Sequence, residues 1–178
     1  QKDNKAKERV HKAPSLLPST SKVPPCSSSM LNNSKLYCLR RKVWVAATPE
    51  EYIRQSTLKL LQDLEYPFSY IVVEKDLKLL PNLSFKGPSP ERRIDIICYT
   101  KKKEDLVPLL LIECKAVPFS QKEIQQVLGY NHLIKAPFVG LVNSQEERLG
   151  WFDNQSQAYQ FINYIPRYVE LVNSIIVD

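Results

Sequence analysis

Leu106–Lys115 reads LVPLLLIECK, an apolar run that closes on a carboxylate, a small residue and an amine. In an extended chain, residues two apart project from one face. Glu113 and Lys115 therefore share a face with Leu111, while Leu110, Ile112 and Cys114 take the other. Two charges at the end of an apolar strand are costly unless they face a cleft or meet partners. A second strand is expected just upstream, Arg93–Tyr99 (RIDIICY), with one acid, Asp95, in its middle. The charged stretch Thr100–Asp105 (TKKKED) turns the first strand into the second. If the two are neighbours, Asp95, Glu113 and Lys115 converge at one mouth.

Downstream, Ser120 and Glu123 make a capping box. The helix expected over Gln121–Lys135 carries Ile124, Val127, Leu128, Asn131 and Ile134 on one face. Pro137–Asn143 (PFVGLVN) reads as a buried strand. Strand, helix and strand in succession predict a parallel pair with a right-handed crossover. Upstream, Thr48-Pro49-Glu50-Glu51 combines an N-cap Thr, Pro at the first helical position and Glu at the third. Ile53, Thr57, Leu60, Leu61 and Leu64 follow at helical spacing, so this helix runs to about Glu65, and Pro67 stops it.

Ser69–Glu74 (SYIVVE) is a β-branched strand that Leu77–Leu80 extends or pairs with. Pro81–Arg92 is a Pro/Gly/Ser loop of twelve residues, a length that points to a functional or disordered loop. Leu36–Val45 reads as a hairpin with Arg40, Arg41 and Lys42 near its turn. Leu149–Asp153 and Ala158–Ile162 read as an edge hairpin, and Tyr164–Asp178 as a strand or a short helix packing back. The fold class is α/β, with a mixed central sheet and helices on its faces.

The chain has 178 residues and a hydrophobic content of 43%, which favours one domain plus an appendage. No phosphate-binding G-x-x-x-x-G-K-[ST] motif occurs, and no apolar run approaches the ~20 residues that cross a bilayer. A polar start argues against a secretion signal. Gln1 in place of Met implies that residues upstream are missing. Residues 1–42 hold ten Lys/Arg and two acids; the remainder holds fifteen basic and seventeen acidic residues. The formal charge of +6 is thus a basic arm on a near-neutral body. Residues 1–34, rich in Lys, Ser, Pro and Asn, are expected to be disordered, leaving 35–178 as the folded domain. Such an arm attracts nucleic acid without reading its sequence, or is simply a solvated tail. Cys26, Cys38, Cys98 and Cys114 show no C-x-x-C pairing and are read as reduced thiols of a cytoplasmic protein with no zinc site. Only two histidines, His11 and His132, are present, which argues against His-based metal or triad chemistry.

Phosphodiester cleavage needs an activated water and relief of charge on the leaving oxygen. Mg²⁺ supplies both and takes oxygen ligands. Asp95 and Glu113 offer two carboxylates, and the backbone carbonyl of Cys114 a third oxygen. Lys115 offsets the repulsion between the acids and can orient water or stabilise the developing phosphorane charge. An E-x-K triplet is usually a surface ion pair; its position at the end of a buried strand favours a metal site. Gln126 and Tyr130, four apart, share a helix face. They are either ordinary boundary residues or a polar pair beside the acids. Arg92 and Arg93 flank the Asp95 strand as phosphate contacts or as plain strand-end charges. Glu74 is a weaker candidate for the outer part of the site. Trp44 and Trp151 read as core or edge packing, and no aromatic stacking pattern for single strands is visible.

An acid followed by E-x-K at a strand end is the core of the PD-(D/E)XK nuclease pattern. The stretch from about 48 to 143 resembles the N-terminal nuclease domain of type I restriction enzyme R (HsdR) subunits, and most closely the short stand-alone members. The matching pieces are TPEEYIRQ (48–55), YPFSYIVVEK (66–75), RIDIICY (93–99), LLLIECKAVPFS (109–120), QQVLGYN (125–131) and APFVGLVN (136–143). The resemblance implies a restriction-endonuclease-like fold and a Mg²⁺-dependent DNA-cleaving site, with Mn²⁺ able to substitute. It makes Asp95 and Glu113 the metal acids, Lys115 the catalytic lysine, Gln126 and Tyr130 the family's Q-x-x-x-Y element, and Glu51 an additional metal acid. Ile94 stands where the pattern has Pro. DNA is the implied partner, with a separate motor or specificity subunit, since this stretch contains no motor domain. The alternatives are a non-catalytic nucleic-acid-binding or assembly module that keeps the fold, and a subunit that acts only with another chain.

Overall fold

The computed structural model describes residues 35–76 and 93–176. The expected arm at 1–34, the 77–80 extension, and the 81–92 loop with Arg92 lie outside them. Two sheets are present. β1 (Lys35–Cys38) and β2 (Val43–Ala46) form an antiparallel ribbon. The main sheet has the order β3-β4-β5-β6-β7-β8. Its strands are β3 (Ile71–Asp76), β4 (Arg93–Lys102), β5 (Asp105–Cys114), β6 (Phe138–Val142), β7 (Glu147–Asp153) and β8 (Ala158–Ile162). All its neighbours are antiparallel except β5 and β6, which run parallel. α2 (Gln121–Ile134) joins that parallel pair, so the expected strand–helix–strand unit is present.

Three helices flank the sheet. α1 (Pro49–Asp63) starts at the Thr48 cap, whose hydroxyl accepts the Glu51 N–H, and stops two residues before the expected end. α2 has the full Ser120/Glu123 capping box and closes on Lys135 in the left-handed region. α3 (Tyr168–Ile176) resolves the ambiguous tail as a helix. A turn of 3₁₀ helix, Phe68–Tyr70, takes the start of the expected Ser69–Glu74 strand.

The sheet separates two apolar layers. On one side Leu58 and Leu61 of α1 and Leu171 of α3 pack on Ile71, Ile96, Cys98, Leu110, Ile112 and Cys114. On the other, Val127, Tyr130 and Ile134 of α2 pack on Ile97, Leu111, Val139 and Leu141. Burial pushes the Cys98 and Cys114 thiols well above their usual pKa, as expected for buried free thiols. Gly140 lets β6 approach β5: a Cβ there would sit 2.9 Å from Ile112 Cγ1. One irregularity interrupts the β4–β5 ladder. Cys98 faces Leu110 but Tyr99 faces Pro108, so Leu109 is a bulge. Pro108 has no N–H to give a regular ladder, and bulges are where sheets tolerate proline.

Candidate active site at the fork between two strands

β4 and β5 part at the end of their ladder. Their last paired rung is Ile96 with Ile112, and Asp95 and Glu113 stand one residue beyond it. Backbone groups along a strand point alternately to its two neighbours. The Lys115 N–H donates to Val142 O of β6 at 2.9 Å, so the Cys114 N–H faces β4. Asp95 Oδ2 accepts it at 2.8 Å, replacing the strand carbonyl that would otherwise do so. Within a strand a residue's C=O shares the edge of its N–H, so the Cys114 carbonyl opens on the same gap. The alternation of β4 fails here too: Ile94 and Ile96, two apart, lie in opposite apolar layers. Asp95 therefore stands in the fork itself, bonded to the Cys114 N–H of β5 and to Arg54 of α1.

From the α2 side, Glu113 Oε1 accepts from Lys115 Nζ at 2.8 Å and Gln126 Nε2 at 2.7 Å. Gln126 Nε2 also lies 3.2 Å from the Tyr130 hydroxyl, one helical turn on. Glu113 Oε2 is buried and has no hydrogen-bond partner. Burial pushes the Glu113 pKa up to about 7; the Asp95 charge adds to the rise, and Lys115 and Arg54 oppose it. Burial pulls on Lys115 in the uncharged direction, but its bond to Glu113 and the charge of Asp95 carry its pKa above the ordinary value.

From the α1 side the site is held by two arginines. Arg54, 6% exposed, pairs through Nη2 with Asp95 Oδ1 at 2.6 Å and through Nη1 with Glu74 Oε1 at 3.0 Å and with Glu51 Oε2. Arg41, in the β1–β2 turn, pairs with Glu74 at 2.6 Å and Glu51 at 3.1 Å. Burial works against the Arg54 charge, but Asp95, Glu74 and Glu51 together raise its pKa above the usual range. Glu74 sits in β3 with φ 44°, a left-handed conformation unusual for a non-glycine residue.

The sequence-predicted residues fall into three groups. Asp95, Glu113, Lys115, Gln126 and Tyr130 gather at the fork. Glu51 lies across the Arg54 guanidinium from Asp95; both its oxygens are taken by Arg41, Arg54 and Gln55. As the third residue of α1 its side chain could have accepted from the Thr48 N–H, but that N–H bonds to Ala46 O instead. Arg93, 74% exposed in its side chain, reaches Glu74 only at 4.0 Å. Arg41 and Arg54 were not anticipated. The signal for Arg54 is its spacing: Glu51, Arg54, Leu58 and Leu61 form one helical stripe, in which an acid and a cation one turn apart continue the apolar face.

Oxygen donors with a buried, unpartnered Glu113 Oε2 fit a hard divalent cation. Mg²⁺ needs only one or two carboxylates, since it keeps several waters. Asp95 is the acid whose charge acts on Glu113; its own two oxygens accept from Arg54 and from the Cys114 N–H. Among the described residues, no three His, Cys, Asp or Glu side chains gather into a metal-binding group; Glu51 and Glu74 are turned to the arginines. No described helix is long and apolar enough to cross a membrane.

Residues 49–166 match the family model described as type I restriction enzyme R protein N terminus. The match starts at α1 and extends past the β7–β8 hairpin, further than the stretch quoted from the sequence. No curated protein matches the chain.

Proposed function

Because this chain belongs to the family of type I restriction enzyme R protein N termini, we propose that it is a Mg²⁺-dependent DNA endonuclease module of the PD-(D/E)XK kind. The family suggests a restriction-type nuclease module acting on DNA within a multi-subunit enzyme. The single observation that carries the finer reading is the buried, unpartnered Glu113 Oε2 beside Asp95 and Lys115. An orphaned carboxylate oxygen costs free energy in the free protein, and a cation at that oxygen offsets the cost.

Asp95 and Glu113 would hold the ion, with the Cys114 carbonyl opening on the same gap. The ion would polarise the scissile phosphate and lower the pKa of a water. Lys115 keeps its proton beside Glu113 and offers its ammonium to the developing phosphorane charge. Gln126 fixes the Glu113 rotamer and is itself oriented by Tyr130. Arg54 holds Asp95 from the opposite side. Arg93 lies exposed next to the site, open to a phosphate.

The test is cleavage of duplex and single-stranded DNA with and without Mg²⁺. Wild type is expected to cut only with metal, and Asp95→Ala and Lys115→Ala are expected to lose cutting while keeping the native circular dichroism. Wild-type activity no greater than that of the double variant on every substrate would overturn the reading.

One observation favours a second reading, a nucleic-acid-binding or assembly module without catalysis: Arg54 already pairs with Asp95, Glu51 and Glu74. Calorimetry separates the two, because a module sealed by arginine takes up no Mn²⁺ at Asp95 and Glu113.

A further inference from the structure

The β1–β2 ribbon lies before the family match, and its outer face carries an aromatic pair. Tyr37 and Trp44 are cross-strand partners, with ring centroids 5.4 Å apart and planes at 65°. Trp44 is 64% exposed and Tyr37 43%. Trp44 was expected in core or edge packing. It points outward instead, because the ribbon's inner positions are taken by Leu36, Cys38 and Val45. Residues 35–48 contain Lys35, Arg40, Arg41 and Lys42 and no acid.

The ribbon is fixed in place. Cys38 is fully buried in the α1-side core, the Leu39 N–H bonds to Gln55 Oε1, and the Arg40 guanidinium lies 6.0 Å from the Phe68 ring centroid. Its turn ends in the site, since Arg41 pairs with Glu51 and Glu74. A rigid, acid-free ribbon with two exposed rings suits a polyanion that carries flat apolar faces.

We propose that the outer face of this ribbon is a platform for single-stranded DNA. An unpaired base stacks on Trp44, with Tyr37 closing its edge, while Lys35 and Lys42 meet the flanking phosphates. The T-shaped geometry leaves a ring face for the base, and every base has a face to offer, so the platform tolerates any sequence. A duplex keeps its bases stacked inside and cannot use it. Arg41 then links the platform to the acids, so the strand is presented to the fork. The partner class rests on the DNA reading given above; the platform itself does not depend on cleavage.

The experiment is fluorescence anisotropy of a labelled oligothymidylate and a labelled duplex, with the full chain in EDTA so that no cutting occurs. Trp44→Ala is expected to bind the oligothymidylate about tenfold more weakly, with Trp44→Phe retaining most of the affinity and duplex binding little changed. In a Trp151→Phe background, emission comes from Trp44 alone and is expected to be quenched on binding. Equal loss on both DNAs, or no loss for Trp44→Ala and Tyr37→Ala, overturns the platform. So does self-association that Trp44→Ala abolishes while oligothymidylate binding is unchanged. Failure of cleavage with intact, Trp44-dependent binding overturns the nuclease reading and leaves the platform standing.

Discussion

Arg54 Nη2 lies 2.6 Å from Asp95 Oδ1, so the aspartate of the fork is held from behind by a buried guanidinium that also holds Glu51 and Glu74. A guanidinium meets these carboxylates through two separate nitrogens in a fixed plane, a span that the single nitrogen of an ammonium does not offer. Arg54→Met leaves those acids without their shared counter-charge. The expected loss is about 3–5 kcal/mol, the range for breaking a buried ion pair, read from urea denaturation. Arg54→Lys is expected to recover only part of it. A variant as stable as wild type would mean that the buried guanidinium is not what holds the cluster.

Glu113 makes metal-free stability depend on pH. Its folded pKa of about 7 lies above its ordinary value of 4.5, so the folded state binds the extra proton between those values. Its contribution is fully present below about pH 4.5 and is lost as pH rises through about 7, on the order of 3 kcal/mol. Glu113→Gln is expected to flatten that slope in denaturation curves taken with EDTA. Identical pH profiles for the two proteins would refute the assignment.

A cation bound at Asp95 and Glu113 stabilises the fold by mass action, about 2.7 kcal/mol at a hundred times its Kd. Melting temperature is therefore expected to rise with added MnCl₂ in wild type and not in an Asp95→Asn, Glu113→Gln double variant. A rise of the same size in both would place the ion elsewhere.

Gln126 touches Glu113 and acts through it. Gln126→Ala is expected to lower Mn²⁺ affinity or cleavage by about 10–100-fold, the usual effect of removing a ligand's hydrogen-bond partner. Tyr130→Phe, which removes only the hydroxyl beside Gln126, is expected to cost less. Calorimetry separates this from unfolding, because the enthalpy of Mn²⁺ uptake at saturation should persist.

Much of this architecture is legible in the residues. Thr48-Pro49, Ser120 with Glu123, and the apolar runs of β5 and β6 mark their elements locally, and E-x-K at a strand end marks the fork. What was not legible depends on contacts distant in sequence. Glu51 meets Arg54 and Gln55 within its own helix, but nothing near it announces Arg41, ten residues upstream, or the reach of Arg54 to Glu74 and Asp95. α3 was ambiguous because Val169-Glu170-Leu171-Val172 and Ile175-Ile176 suit a strand as well as a helix; the packing of Leu171 against the sheet decides it. Trp44 was misjudged because an exposed tryptophan has no local signature.

The spare residue at Leu109 sets the phase of the β4–β5 hairpin. Were Leu109 drawn into regular pairing from the Lys103-Glu104 turn onward, Asp95 would stand opposite Ile112 instead of Glu113, and a slip of one rung exchanges the two sides of a strand. The acids would then look away from each other although no charged residue had changed. Pro108, far from any proton transfer, thus acts as the escapement of the hairpin, and the spacing on which the chemistry depends is decided by a residue that takes no part in it.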